Sequence, residues 1–444
     1  MKIDIVHSTT DIAGVNLRAA MDRLIKHAPA GGWPLLNTHE VTFHTIHDRI
    51  INATDAVTSP DAELVIFLAR HSSVNPVPVL TVHPAGNYTT ADLGGNPGEL
   101  GLAAPAWMRE ILRNHQKYAP EEYRISYEIT HHGPTNIHAP YFFVEVGSTE
   151  TEWRDSAAVE AAATSVLMAA PSGTEQILPL IGFGGTHYAA RQTAIALDTN
   201  GAFGHMMHTR NVAGVDEAMI RQMIEKSGAI AAHIDKKALS KQENHHLEGI
   251  LAKIGIPELS EGDLHKLLNM SWPTWKKFTN LAEETGRELK LFPHGTIRDG
   301  EPVSLELPED LFNAAFSGNE DILFQKLDAI GNVFHTTNRS GKLLPLLFTI
   351  TDSRREIAGD LIALSVQQVT RTKGTTVDGN RITITRRQFE PGLARTLGLR
   401  SGPLYGKLVA GESVTLPDGR TITPDMVTRT TQSTIHIPGL ENYS

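Results

Sequence analysis

The chain has 444 residues, a formal net charge of -10 and no cysteine. Its length exceeds what one ordinary core fills, and the lack of thiols excludes disulfides, cysteine nucleophiles and cysteine-ligated zinc, leaving His, Asp and Glu as metal donors. The opening "MKIDIVHSTT" lacks the basic and apolar regions of a secretory signal, and no run approaches the roughly 18 apolar residues of a membrane helix, so the expectation is a cytoplasmic monomer with no membrane partner.

Short runs rich in β-branched and aromatic residues, bounded by Gly, Pro, Ser or His, predict strands at 3–7, 41–46, 63–69, 76–83, 124–130, 141–146 and 177–181. Apolar residues at helical spacing predict helices at 11–27, 105–118, 151–169, 215–226 and 240–254. Thr149 and Glu152 have the spacing of a capping box at the start of the third helix. Apolar strands alternating with helices imply an α/β fold: a mixed, mostly parallel sheet with helices on both faces and its sites at strand carboxyl ends. Near residue 260 the pattern changes to helical stretches at 261–291 and 305–331, then to short strands and turns at 379–429. This divides the chain into a domain at 1–258 and a smaller α+β domain at 259–444.

Composition follows the same division. Residues 1–260 carry 19 Lys+Arg against 28 Asp+Glu and 17 of the 21 histidines, while residues 371–429 carry 10 basic residues against 5 acidic ones. The acidic total argues against a general nucleic-acid coat, whereas the local basic excess can meet phosphates.

The reactive side chains follow the predicted strands. Arg70, His71, Ser72 and Ser73 follow "ELVIFLA"; His83 and Asn87 follow "PVLTV"; His131, His132 and Thr135 follow "RISYEIT"; and "GFGGTHYAARQ" brings Gly184, Gly185, His187 and Gln192 after "ILPLI". With His205 these histidines suggest one shared site. The glycine-rich loop lacks the Lys-Ser/Thr of a phosphate-binding P-loop and the glycine spacing of a dinucleotide fingerprint, but its amides can approach an anion or a developing oxyanion. No Gly-x-Ser-x-Gly elbow accompanies the serines, so a water activated by histidine or by a His/Glu-bound metal fits better than a serine nucleophile.

Six blocks in order, "ARHSSV", "LTVHPAGN", "EITHHGPT", "FFVEVGSTETEW", "GFGGTHYAARQT" and "FGHMM", resemble the D-aminoacyl-tRNA deacylase family of archaea and plants over residues 1–258. The resemblance implies hydrolysis of the ester joining a D-amino acid to the 3′ end of tRNA, clearance of aldehyde-modified D-aminoacyl-tRNA, zinc dependence, and a fold akin to peptidyl-tRNA hydrolase and purine nucleoside phosphorylase. Thr186 and Ala190 depart from the glycine and proline expected in the glycine-rich block. Residues 397–427 resemble a segment of ribonuclease Z without that enzyme's metal motif, so the extension implies at most a tRNA contact. Alternatives are a peptidyl-tRNA hydrolase or nucleoside phosphorylase on the same architecture, or a non-catalytic tRNA-binding protein.

Residue chemistry distributes the roles. Zinc (Zn2+) falls to some of His83, His131, His132, His187 and Glu145, with Glu145 in doubt because alternation along "YFFVEV" can turn it to the other sheet face. His131, His132, His187, Arg70, Ser72 and Thr135 are the candidate catalytic residues. His71, Ser73, Asn87, Gly184, Gly185, Gln192 and His205 are the candidate substrate contacts. Arg70 and the Gly184 and Gly185 amides would meet the oxyanion or terminal phosphate.

Overall fold

In the computed structural model, which describes residues 1–171, 176–371 and 374–437, the seven apolar runs of the first half become strands and are joined by two more, giving nine strands in two sheets. Six form one sheet: β1 (Lys2–Ser8), β2 (Glu40–Ile46), β3 (Leu64–Arg70), β4 (Val79–His83), β5 (Arg124–Tyr127) and β6 (Tyr141–Gly147), in the order β2-β1-β3-β6-β4-β5. The pairings are parallel except that between β4 and β6. The other three, β7 (Leu178–Phe183), β8 (Gly201–Met207) and β9 (Ala231–Ile234), form a parallel sheet in the order β8-β7-β9. β3, β4, β6 and β8 are almost wholly buried, as strands covered on both faces must be.

Helices appear where apolar spacing placed them, and their ends are chemically explicit. Asp11 caps Ile12–Lys26 by accepting the Gly14 N–H, and Thr149 with Glu152 forms the expected capping box. The helix read as 151–169 is two, Glu150–Trp153 and Ser156–Leu167, because Asp155 starts a new cap by accepting the Ala157 N–H. After β5 the chain leaves the first sheet. Ile129 N–H donates to His187 O at 3.0 Å and Thr130 N–H to Met206 O at 2.9 Å, stitching the 128–130 segment to the β7–β8 sheet.

The first compact unit ends at Trp272, beyond the 258/259 division read from the sequence. The reason is local: an Arg191–Glu261 ion pair ties the short helix Glu261–Lys266 to this unit. The second unit, Pro273–Ser444, is α+β. The helical stretches at 261–291 and 305–331 appear as Glu261–Lys266 and Trp272–Glu284, and as Glu309–Phe316 and Glu320–Ile330; only their ends give way to β10 (Lys290–His294) and β11 (Pro302–Glu306), which join β12 (Val333–Thr337) and β13 (Leu343–Ile350) in an antiparallel sheet. Its core is built on Phe312, Phe316, Leu327, Leu347 and Leu361. No described helix is long and apolar enough to cross a membrane.

Candidate active site

Strand register gathers the site on one sheet face. Glu145 stands opposite Ala69 on β3 and Thr81 on β4, while Phe143 stands opposite Phe67 and His83. Residues two apart share a face, so Glu145 and His83 project together with Phe143, which settles the ambiguity of "YFFVEV". Thr81 also pairs with Ser126 of β5, and Glu128, two residues on, therefore reaches the same face. Since β4 and β5 run against β3 and β6, the site does not lie along one shared carboxyl edge. It forms where oppositely running strands bring their chemistry to the same rows.

Two buried carboxylates organise five imidazoles. Glu128 Oε2 lies 2.8 Å from His187 Nε2 and 3.5 Å from His131 Nε2, and Glu128 Oε1 lies 2.9 Å from His71 Nδ1. Glu145 Oε1 lies 3.3 Å from His83 Nε2 and 4.0 Å from His132 Nε2, and its Oε2 lies 3.7 Å from His71 Nδ1. His132 has φ +49°, a left-handed backbone uncommon outside glycine. That turn lets two adjacent histidines direct their rings into one cluster, with centroids 4.4 Å apart.

The hydrogen bonds fix which nitrogens are free. His83, His131 and His132 place Nδ1 at 3.1, 2.8 and 2.6 Å from the carbonyl oxygens of Pro84, Ile129 and Gly133. A carbonyl only accepts, so Nδ1 carries the proton in each; in His131 and His132 Nε2 then carries the lone pair, whereas His83, although burial opposes its charge, is raised above the ordinary histidine range by Glu145 beside its Nε2. Burial, joined by the charges of neighbouring imidazoles, holds His131 well below the usual histidine range and brings His132 down to about 4. Both are therefore neutral at pH 7. His71 is the opposite case: burial works against its charge, but Glu128 and Glu145 outweigh burial and lift it to about 11. Burial favours the neutral form of Glu128, yet the His187 and His71 hydrogen bonds prevail and hold that carboxyl well below its usual range.

This donor set suits a metal ion. One ligand atom each from His83, His131 and His132 lie within 4.8 Å of one another, as do those of His71, Glu128 and His187 and those of His83, Glu128 and Glu145. His83 Nε2 is buried without an aligned hydrogen-bond partner, an arrangement that costs roughly 1–3 kcal/mol unless a cation or donor completes it. Nδ1 hydrogen bonds to carbonyls are the support that metal-bound histidines use. Nitrogen and carboxylate oxygen are donors zinc accepts.

The other anticipated residues divide. Arg70 and Ser72 line a cleft against Glu145 and His132, and the Arg70 guanidinium lies 5.3 Å from the Trp153 ring centroid. Ser73 closes its own turn by accepting the Asn75 N–H at 3.2 Å. Asn87 and Thr135 are buried ties of the 86–100 loop: Asn87 donates to Gly94 O and Asn96 O, and Thr135 accepts the Asn96 N–H. The amides of Gly184 and Gly185 do not face a ligand as expected, because they donate to Met207 O and Thr209 Oγ1 at 3.0 Å each. Gln192 is fully buried and braces that loop by donating to Gly184 O at 3.1 Å. His205 stands outside the cluster, buried, with its nitrogens bonded to Thr130 Oγ1 and Gly101 O. Sequence reasoning did not single out Glu128, although an acid inside "RISYEIT" is the same signal that marked Glu145. It also missed Tyr188, whose hydroxyl lies 3.0 Å from His71 Nε2.

The family model described as D-aminoacyl-tRNA deacylase matches residues 58–259. A protein of Methanocorpusculum labreanum named D-aminoacyl-tRNA deacylase is 62% identical over 100% of both chains, and one of Methanoculleus marisnigri with the same name is 40% identical over 100% of both. The chain belongs to the D-aminoacyl-tRNA deacylase family. Within that family a Methanosarcina mazei relative, 35% identical, matches 60% of this chain and 94% of its own length. A crystal structure described as a conserved protein of unknown function is similar with TM-score 0.53 and 28% identity, covering 60% of this chain and 96% of its own.

Proposed function

We propose that the chain hydrolyses the ester joining a D-amino acid to the 3′ end of tRNA, releasing free tRNA and the D-amino acid, and that zinc is its metal. The observation that carries this reading is the cluster itself: neutral imidazoles with free Nε2 atoms beside two buried carboxylates, in a member of this family. An aminoacyl ester is already activated, so the site needs to position water, stabilise the tetrahedral oxyanion and exclude the wrong enantiomer.

His83, His131 and His132, with Glu145, would hold the ion, which when bound supplies Lewis acidity toward the ester carbonyl and the attacking water. His187, its side chain 40% exposed and seated on Glu128, is placed to take the proton of the water as it attacks the carbonyl carbon. The same imidazole then returns the proton to the ribose oxygen as the carbon–oxygen bond breaks. His71, charged between Glu128 and Glu145, keeps both carboxylates oriented. With the Gly184 and Gly185 amides occupied, Arg70, which shares the cleft with Arg49, is the cationic group placed for the oxyanion.

The second unit supplies a further tRNA contact in this reading. Arg387 and Arg420 are paired with Asp425 and Asp418, and the local basic excess also includes Arg381, Arg386 and Arg429 on the paired strands Arg381–Phe389 and Thr428–His436. The deciding experiment is release of tyrosine from D-Tyr-tRNA and L-Tyr-tRNA side by side. Fast release from the D ester alone is expected. Equal rates on both esters, or phosphate-dependent release of a free base from nucleosides instead, would favour a different hydrolase or a phosphorylase.

A further inference from the structure

Two clefts open beside the histidine cluster, and His132 and Leu93 line both. They differ in character. One, about 350 Å³, has one apolar side, from Ile50, Ile51, Leu93 and Phe143, facing a charged side that holds the partly buried Asp11, the exposed Arg49 and Arg70, and Glu145. The other, about 170 Å³ beside His131 and His132, is lined by Tyr88, Thr89, Thr90, Arg210 and Asn211, which also line a further cleft of about 670 Å³ leading to Asp216 and Met219.

An aminoacyl-tRNA has the same two-sided character. Its amino-acid end is compact, bears a cation one carbon from the ester and ends in a side chain that gains from apolar walls. Its nucleotide end is polar on every edge and continues into an RNA too large to bury, so it needs a hydrogen-bonding track that runs outward. Resting on the deacylase reading above, we propose that the Ile50–Ile51 cleft takes the amino acid and the Thr89–Asn211 cleft takes the terminal nucleotide, with the scissile carbonyl at His132 where they meet. Asp11 is the partner of the α-ammonium.

Asp11 is built for that part. Its Oδ1 accepts the Gly14 N–H at 2.9 Å and its Oδ2 accepts the Arg70 N–H at 3.1 Å, so both oxygens are fixed at the ends of β1 and β3 while each keeps a lone pair. A fixed carboxylate beside the ester holds the α-carbon by its nitrogen and its carbonyl together. The side chain of one enantiomer then enters the Ile50–Ile51 wall region, and the other is turned against the cluster.

The test uses the full-length zinc-loaded enzyme and two pairs of esters. D11N keeps the helix cap, since asparagine caps as well as aspartate, but removes the charge. It should lower kcat/KM for D-Tyr-tRNA about tenfold or more and leave N-acetyl-D-Tyr-tRNA, which has no ammonium, within about twofold. A second variant, I51W, fills the apolar side of that cleft and should depress D-Tyr-tRNA at least about tenfold more than D-Ala-tRNA. Unchanged ratios for both pairs in active variants would overturn the assignment, as would a reordering of side-chain preference by T89W instead of I51W. No hydrolysis of D-Tyr-tRNA by the wild type would overturn the deacylase reading itself, an outcome distinct from an active enzyme with unchanged ratios.

Discussion

His187 Nε2 lies 2.8 Å from Glu128 Oε2, so the most exposed imidazole of the cluster rests on its most deeply buried carboxylate. The interaction ties the glycine-rich loop after β7 to the strand end after β5, and it makes Glu128 a hub for three histidines. E128Q preserves shape and removes charge. It should weaken zinc affinity by about 10–100-fold and lower kcat/KM at least in proportion, measured by zinc titration and D-Tyr-tRNA hydrolysis. Full zinc content with full activity would remove Glu128 from the site.

His131, His187 and His205 separate function from packing. H131A and H187A should cut turnover by orders of magnitude with nearly unchanged Tm, because the rings face an open cleft or solvent. H205A should do the reverse, since His205 is fully buried and both its nitrogens are bonded within the fold. A drop of about 2–4 kcal/mol in stability with turnover largely retained is the expected outcome, read by denaturant unfolding beside kinetics.

Acid stability carries a separate signature at His115, which sits in the helix Pro105–Tyr118 with neither ring nitrogen partnered. Burial lowers it from the ordinary 6.5 to about 3. The folded state thus refuses a proton that the unfolded state accepts between those values, and stability falls as pH drops through that window. H115L removes the difference. Its unfolding free energy should fall less steeply with acid than the wild type's, by up to roughly 1.4 kcal/mol per pH unit, whereas parallel pH profiles would refute the assignment.

The second unit's cations make a kinetic prediction. R381Q/R386Q/R429Q should raise KM for D-Tyr-tRNA with kcat unchanged and flatten the salt dependence of kcat/KM, by about one unit of log-log slope for each phosphate no longer neutralised. An unchanged KM and slope would confine tRNA binding to the first unit.

Much of the fold was legible in the sequence, for identifiable reasons. Strands such as "LVIFLA" and "YFFVEV" are apolar on both faces, and "VDEAMIRQMIEK" keeps helical spacing, so their elements appeared where expected. β8 and β9 were not foreseen: "GAFGHMM" and "AAHI" are short, small-residue runs whose strand identity comes from pairing with β7. The histidines of the site could be found because each follows an apolar strand. Asn87, Thr135, Gln192 and His205 stood in the same blocks yet serve the fold, since the sequence does not reveal whether a polar side chain turns to a cleft or to its own backbone. Glu145 needed the β4 register to assign its face, and Glu128 needed the pairing of β5 with β4.

D-selective ester hydrolysis supported by a metal at the His/Glu cluster is tested most directly by tyrosine release from D-Tyr-tRNA and L-Tyr-tRNA before chelation, after chelation and after zinc is restored. The expected result is rapid hydrolysis of the D ester alone, abolished on chelation and recovered with zinc. D-selective hydrolysis indifferent to chelation would contradict the metal's role, and no hydrolysis of either ester with zinc present would contradict the function.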